Sequence, residues 1–161
     1  MAQKSKKTHI VAIALPLFLE NGFKGTSIDR IVKESGVSKP TVYNHFSDKT
    51  VLLLGVLVRW IESNKPVILP IKDQAALDEF IQSRWLTDEA IQFYALVIGE
   101  GSRFPQAKQL FWDQFDQLWR KALIYVSGDG PGNISGHSGA FQQDTIDQYL
   151  DHQLLNRLRL R

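Results

Sequence analysis

The stretch from Phe18 to Leu54 constrains the fold most, because it holds two short helical patterns with only Gly36-Val37-Ser38 between them. Ile28, Ile31 and Val32 fall on one helical face, and an apolar face of this kind needs a partner surface. Gly36 stands where the first helix must stop and the chain must turn, a place that favours a residue tolerant of positive φ. The spacing therefore predicts a helix, a tight turn and a second helix.

Residues that favour helix ends mark where these elements begin. Thr26, followed by Asp29 three residues later, resembles a capping box and predicts the start of the first helix. Ser38 is placed to cap the second helix, and Pro40 lies in its first turn, where a missing N–H costs little. Ser47-Asp48 then predicts the start of a third helical run.

The second helix of the pair has two different faces. Val42 and Phe46, four residues apart, point to the core, which leaves Tyr43, Asn44 and His45 largely on other faces. A short basic and aromatic helix that follows a tight turn is typical of a helix-turn-helix DNA reader.

These residues resemble the N-terminal domain of the TetR family of bacterial transcriptional regulators. A shorter segment, from Glu100 to Gln114, also resembles a stretch in the ligand domain of one branch of that family. Ile10, Ala14, Leu17 and Phe18 fall on one helical face and predict a further helix ahead of this pair. Pro16 departs from the family pattern, because it lies inside that N-terminal helix and would bend it or remove a backbone bond. The residues that match the N-terminal motif at fixed spacing are Phe18, Gly22, Phe23, Thr26, Ser27, Ile28, Ile31, Val32, Ser35, Gly36, Val37, Ser38, Val42, Tyr43, His45, Phe46, Lys49 and Leu52.

The resemblance implies an all-α chain with a three-helix helix-turn-helix DNA-binding domain in residues 1–50. A helical ligand-binding and dimerisation domain would follow in residues 51–161, with a glycine-rich loop at 127–139. It further implies a cytoplasmic homodimer that binds double-stranded operator DNA, a repressor released by a small apolar inducer. The alternative is a truncated or divergent helical binding module without regulated DNA binding, because only one helix fits after the loop where the family usually has two.

Hydrophobic periodicity places helices along the second half of the chain, with a joint at residues 64–70. The predicted helices are Val51–Ser63, Ala75–Arg84, Thr87–Glu100, Pro105–Val126 and Ala140–Arg161.

The resemblance assigns DNA contacts to the second helix and its neighbours. The candidates for base readout are Lys39, Pro40, Thr41 and Asn44, with Ser38 beside them, and those for phosphate are Thr26, Tyr43, His45 and Lys49. The chemistry suits this division, because lysine can donate to guanine, asparagine can pair with adenine, and hydroxyl and cationic groups suit phosphate oxygens. The alternatives are half-buried packing for Tyr43 and an ordinary surface histidine for His45.

Aromatic side chains are numerous in the second half and suit either an apolar inducer pocket or an ordinary helix-bundle core. Arg103 or a glutamine would supply the polar contact of such a pocket. The candidate ligand-binding residues are Trp60, Trp85, Phe93, Arg103, Phe111, Trp112, Phe115 and Trp119.

The remaining composition argues against other classes of protein. Residues 1–50 hold eight Lys or Arg and four Asp or Glu, whereas residues 51–161 hold eleven and thirteen, so the basic end is the predicted DNA-binding end. The chain has no cysteine, which suits a reducing compartment. No apolar run approaches the roughly 20 residues of a membrane span. The four scattered histidines and the missing catalytic motifs predict no enzyme, no catalytic residue, no metal site and no cofactor.

Overall fold

The computed structural model describes residues 5–67, 69, 71, 73–127 and 143–160, and in this part of the chain it contains helices and no β-strand. The predicted all-α class is thereby confirmed. The predicted loop at 127–139 lies, beyond Ser127, outside the described residues. The α-helices are α1 (Lys6–Gly25), α2 (Ile28–Ser35), α3 (Lys39–His45), α4 (Lys49–Ser63), α5 (Gln74–Phe80), α6 (Asp88–Glu100), α7 (Pro105–Phe111), α8 (Gln117–Ser127) and α9 (Gln143–Arg159).

Packing divides the chain into two compact units. The first contains the residues up to Ser63 together with Gln92–Phe111, and the second contains Asn64–Ile91 and the residues from Trp112 onwards. The boundary predicted at residue 50 concerns function rather than packing, and it stays a prediction.

The first unit is built around α1, which contacts α2, α3 and α4, while α4 also contacts α7. Val42 and Phe46 are buried, as the helical spacing predicts. The other large apolar side chains fully enclosed among α1, α2 and α4 are Ile10, Phe18, Ile31, Leu52, Leu53 and Leu57.

The second unit docks α9 through polar contacts. The guanidinium of Arg120, on α8, lies 2.8 Å from an oxygen of Asp116, four residues earlier in the chain. It also lies 2.7 Å from an oxygen of Asp151 on α9. The Tyr149 hydroxyl donates to Asp78. Burial of the tyrosine and, to a lesser degree, its hydrogen bond to this carboxylate raise the pKa of Tyr149 to about 12. Because these contacts join α9 to α5 and to α8, the last helix is part of this unit.

The structure corrects two expectations, one at the start of α2 and one inside α1. Ser27, not Thr26, caps α2, since its side-chain oxygen accepts the N–H of Arg30 at 3.1 Å. The chain continues helically through Pro16, and the break inside α1 lies at Gly22, with φ 69° and ψ 179°. A proline removes one backbone bond, but positive φ interrupts the helix itself.

Two predicted helices contain π-helical turns. The helix predicted over Pro105–Val126 contains such a turn at Trp112–Asp116. The helix predicted over Ala75–Arg84 ends in one that runs over Ile81–Trp85, one residue past the predicted end. A π turn inserts an extra residue, so the residues before and after it fall on offset faces that a period of 3.6 does not describe.

Replacement of Gly22 by alanine should destabilise the protein. The added Cβ would lie 2.8 Å from Glu100 Oε1, and the backbone conformation is one that essentially only glycine adopts. We expect a loss of about 1–3 kcal/mol in the free energy of unfolding measured with urea.

Gly99→Ala is the matched control, because Gly99 lies in α6 with no atom within 4 Å of a new Cβ. Alanine should stabilise that helix by up to about 1 kcal/mol. Equal effects of the two substitutions would contradict the strained role of Gly22.

Candidate nucleic-acid interface

The turn between α2 and α3 has the predicted geometry. Gly36 adopts φ 66° and ψ 10°, and its N–H donates to the carbonyl of Val32 at 3.0 Å. The Ser38 side-chain oxygen accepts the N–H of Thr41 at 3.3 Å and caps α3. The left-handed glycine and the serine cap together fix the direction in which α3 leaves α2.

The two faces of α3 differ in exposure. Val42 is fully buried, whereas Lys39, Asn44 and His45 are exposed and Tyr43 keeps 44% of its surface accessible. At this exposure Tyr43 is itself half-buried, so the phosphate contact and half-buried packing both stay predictions. The remaining predicted residues of this face are Ser38 and Pro40, which are exposed, and Thr41, which is partly exposed.

An ion pair joins the start of α3 to α2. The Lys39 ammonium lies 2.7 Å from Asp29 Oδ1, and hydrogen bonding to this carboxylate raises the pKa of the lysine. Both side chains are exposed, so the pair adds little to stability. It does occupy the ammonium group that was predicted to read a base.

Thr26, a predicted phosphate contact, is fully buried. Its hydroxyl donates to the carbonyl of Leu17 at 2.8 Å and to the carbonyl of Gly22 at 2.9 Å. The structure thus places this side chain in the core, where it closes the last turn of α1, rather than on the surface that a phosphate reaches.

Lys49, another predicted phosphate contact, also engages the end of α1. Its ammonium donates to the carbonyl of Phe23 at 2.6 Å and to the carbonyl of Thr26 at 2.8 Å, and it lies 4.3 Å from the centroid of the Phe23 ring. Burial lowers the pKa of Lys49, against the opposing charge of Glu100. Two of its three donors therefore satisfy carbonyls that a helix end leaves without partners.

Glu100, at the end of α6, holds the same segment from the other side. Its Oε1 accepts the N–H of Phe23 at 2.9 Å, and the Phe23 ring lies 5.1 Å from the ring of Phe104. Glu100 Oε2 is buried without a hydrogen-bond partner. We call Lys49 and Glu100, with Phe23 between them, the α1 clamp.

Sequence reasoning did not assign the α1 clamp. The signal available was the second resemblance, since Glu100 and Phe104 belong to the segment that resembles the family's ligand domain. Nothing in the sequence shows that this segment meets Phe23.

The predicted ligand-binding aromatics of the first unit pack against one another. Trp60 and Phe93 have ring centroids 4.5 Å apart, and Phe111 lies 6.4 Å from Trp60 and 6.2 Å from Phe93. All three rings are buried, whereas Arg103 is exposed. This close packing is that of a helix-bundle core.

The other predicted ligand-binding aromatics belong to the second unit. Trp85, Phe115 and Trp119 are buried, and the Trp119 indole N–H donates to the carbonyl of Asn64 at 2.9 Å. Trp112 is partly exposed. The aromatic residues named as one candidate pocket thus belong to two different units.

Residues 10–56 match the family model described as bacterial regulatory proteins, tetR family. The chain is 38% identical to the uncharacterized HTH-type transcriptional regulator YuxN of Bacillus subtilis over 83% of its own length and 47% of that protein. It is 34% identical to an HTH-type transcriptional regulator of Staphylococcus aureus strain USA300, over 92% of the chain and 67% of that protein.

Among solved structures, the chain resembles a proposed TetR-family transcriptional regulator from Mesorhizobium loti. The TM-score is 0.65 at 18% identity, over 99% of this chain and 98% of that one. Against the Bacillus subtilis regulators YerO and YuxN, the chain spans 57% and 47% of their lengths, about half of each. In the part of the chain that the structure describes, no helix is both long and apolar enough to cross a bilayer.

Lys49→Met should destabilise the first unit as well as change any surface it presents. Methionine keeps an unbranched apolar side chain but leaves the carbonyls of Phe23 and Thr26 without their charged donor. Hydrogen bonds from charged groups contribute about 1.5–3 kcal/mol, so we expect a loss of that order in urea unfolding.

Lys33→Met provides the control, because Lys33 is an exposed lysine in the last turn of α2. That substitution should change the free energy of unfolding by less than about 0.5 kcal/mol. If both variants are as stable as the parent, the carbonyl contacts of Lys49 do not stabilise the fold.

Proposed function

The chain belongs to the TetR family of bacterial regulatory proteins. From this premise we propose that it is a transcriptional regulator, that it represses transcription as a homodimer on operator DNA, and that a small apolar ligand releases it. The proposal rests on one observation above the others. The polar face of α3 is exposed, while Val42 and Phe46 anchor its other face in the core.

This exposed face has the chemistry needed to read DNA. In helix-turn-helix proteins the second helix enters the major groove with its N-terminal residues towards the base edges. Lys39, Pro40 and Thr41 are the N-terminal residues of α3, and Asn44 follows one turn later. We assign base contacts to these residues and phosphate contacts to Tyr43 and His45, which are exposed on the same short helix.

The DNA contacts proposed here differ from the sequence-based set at two positions. Thr26 and Lys49 are not included, because their polar groups bond carbonyls at the end of α1. Their contribution to DNA binding is indirect, since they fix the helix that packs against α2 and α3.

A homodimer would supply the second half-site that a specific operator needs. Exposed apolar residues on the last two helices support this part of the proposal. Leu118 and Tyr125, seven residues apart on α8, are 40% and 48% exposed, and Leu155 on α9 is 51% exposed. These residues are the surface that we assign to the partner subunit.

Release by a small ligand requires a path from the ligand to α3. We propose that the path includes Glu100, because α6 carries this carboxylate and its bond to Phe23 reaches α1 directly. A ligand that shifts α6 would change this bond and, through α1, the support of α2 and α3.

Substitutions on α3 should separate base contacts from phosphate contacts. Asn44→Ala should weaken binding to the operator by about 1–3 kcal/mol and leave binding to random DNA unchanged. Tyr43→Phe should weaken both by about 1 kcal/mol, because a lost hydrogen bond to phosphate carries no sequence information. Fluorescence anisotropy with fragments of the gene's own upstream region and with shuffled fragments measures both.

A salt series should show affinity that falls steeply, as counterion release requires. An unchanged anisotropy with every upstream fragment at low salt would refute operator binding.

Leu155→Glu should shift the protein towards monomer without unfolding it, because the side chain is 51% exposed within its own subunit. Burial of a leucine is worth about 1.5–3 kcal/mol, so dimerisation should weaken at least about tenfold in sedimentation equilibrium. Leu69→Glu, at a leucine that is 43% exposed outside α8 and α9, is the control. A parent protein that sediments as a monomer at micromolar concentration would contradict the dimer.

A further inference from the structure

A surface cleft with a volume of about 370 Å³ opens between the first residues of α1, the end of α3 and the outer face of α4. Its apolar wall consists of Val11, Phe46, Val51, Leu54 and Val58. This volume lies in the range of small-molecule sites. At roughly 30 Å³ for each water-sized group, it has room for about ten heavy atoms. None of the aromatic residues predicted to bind an inducer lines it.

The cleft depends on a glycine in the middle of α4. A glycine there costs about 1 kcal/mol of helix stability relative to alanine. A Cβ on Gly55 would lie 2.9 Å from Cε1 of Phe46, so only glycine lets the phenyl ring approach the helix this closely. Val51 and Val58 stand on either side of it, 40% and 39% exposed. The outer face of α4 is therefore an apolar surface with an aromatic floor.

The rim of the cleft favours a negative charge. Lys7 Nζ lies 5.8 Å from the centroid of the Phe46 ring, and Arg59 on α4 adds a second exposed cation. The first turn of α1, which also lines the cleft, contains no acidic residue and carries the positive end of the helix dipole. Glu62 is the one carboxylate among the lining residues.

We propose that this cleft binds a small organic monoanion with an apolar body of about ten heavy atoms. The apolar body lies against Phe46 and Val58, and the anionic head lies between Lys7 and Arg59. The proposal does not depend on operator binding, because the cleft is complete in the protein without DNA.

Three probes with the same alkyl chain and different heads test the role of charge: octanoate, 1-octanol and octylammonium. Calorimetric titration of the full chain should give octanoate an affinity about fivefold above that of octanol, as expected for an exposed ion pair, and octylammonium the weakest binding. Methyl resonances of Val51, Leu54 and Val58 should shift with octanoate. Equal affinities for the three probes, no binding of octanoate, or shifts confined to other methyl groups would overturn the proposal.

Matched variants then locate the site. Arg59→Gln should lower the affinity for octanoate about fivefold, whereas Arg84→Gln, at an exposed arginine outside the cleft, should not. Val58→Asp should remove octanoate binding, whereas Val67→Asp, at a 64% exposed valine elsewhere, should retain it. Unchanged affinity in Arg59→Gln would also overturn the proposal. The comparison of the three probes on the parent protein decides the question if either cleft variant fails to fold.

Discussion

Charged groups hold the end of α1 from two directions, and α2 and α3 pack against the helix that is held in this way. The Lys49 ammonium bonds the carbonyls of Phe23 and Thr26, while the Glu100 carboxylate accepts the N–H of Phe23. These groups lie on α4 and α6, so α1 cannot change its end without disturbing both helices. Since α1 contacts α2 and α3, the α1 clamp supports these two helices, and with them the proposed DNA interface, without forming part of it.

Local signals allowed the turn and its flanking helices to be predicted. Gly36 and Ser38 act within four residues of their own position, so their roles can be read from spacing alone. The role of Lys49 depends on carbonyls at least 23 residues away, and that of Glu100 on an amide 77 residues away. Sequence periodicity carries no information on such distances, which explains why Thr26 and Lys49 were assigned to the surface.

The aromatic residues are difficult to assign from the sequence for a different reason, because one pattern fits two kinds of structure. Their types and spacing suit both a pocket and a core, because both need apolar rings on one helix face. Only packing distinguishes the two, and Trp60, Phe93 and Phe111 lie in mutual contact. The cleft beside Phe46 could not be predicted from the sequence either, because a glycine within an apolar helix does not show which aromatic ring packs against it.

The hydrogen bond from Phe23 to Glu100 has a consequence for observing the protein in solution. A backbone amide held by a carboxylate exchanges its proton with solvent only when that bond opens. The rate at which the Phe23 amide exchanges its proton for deuterium therefore measures how stable the contact between α6 and α1 is in the parent protein. The protection of this amide reports how often the contact between α6 and α1 opens, whatever compound is present.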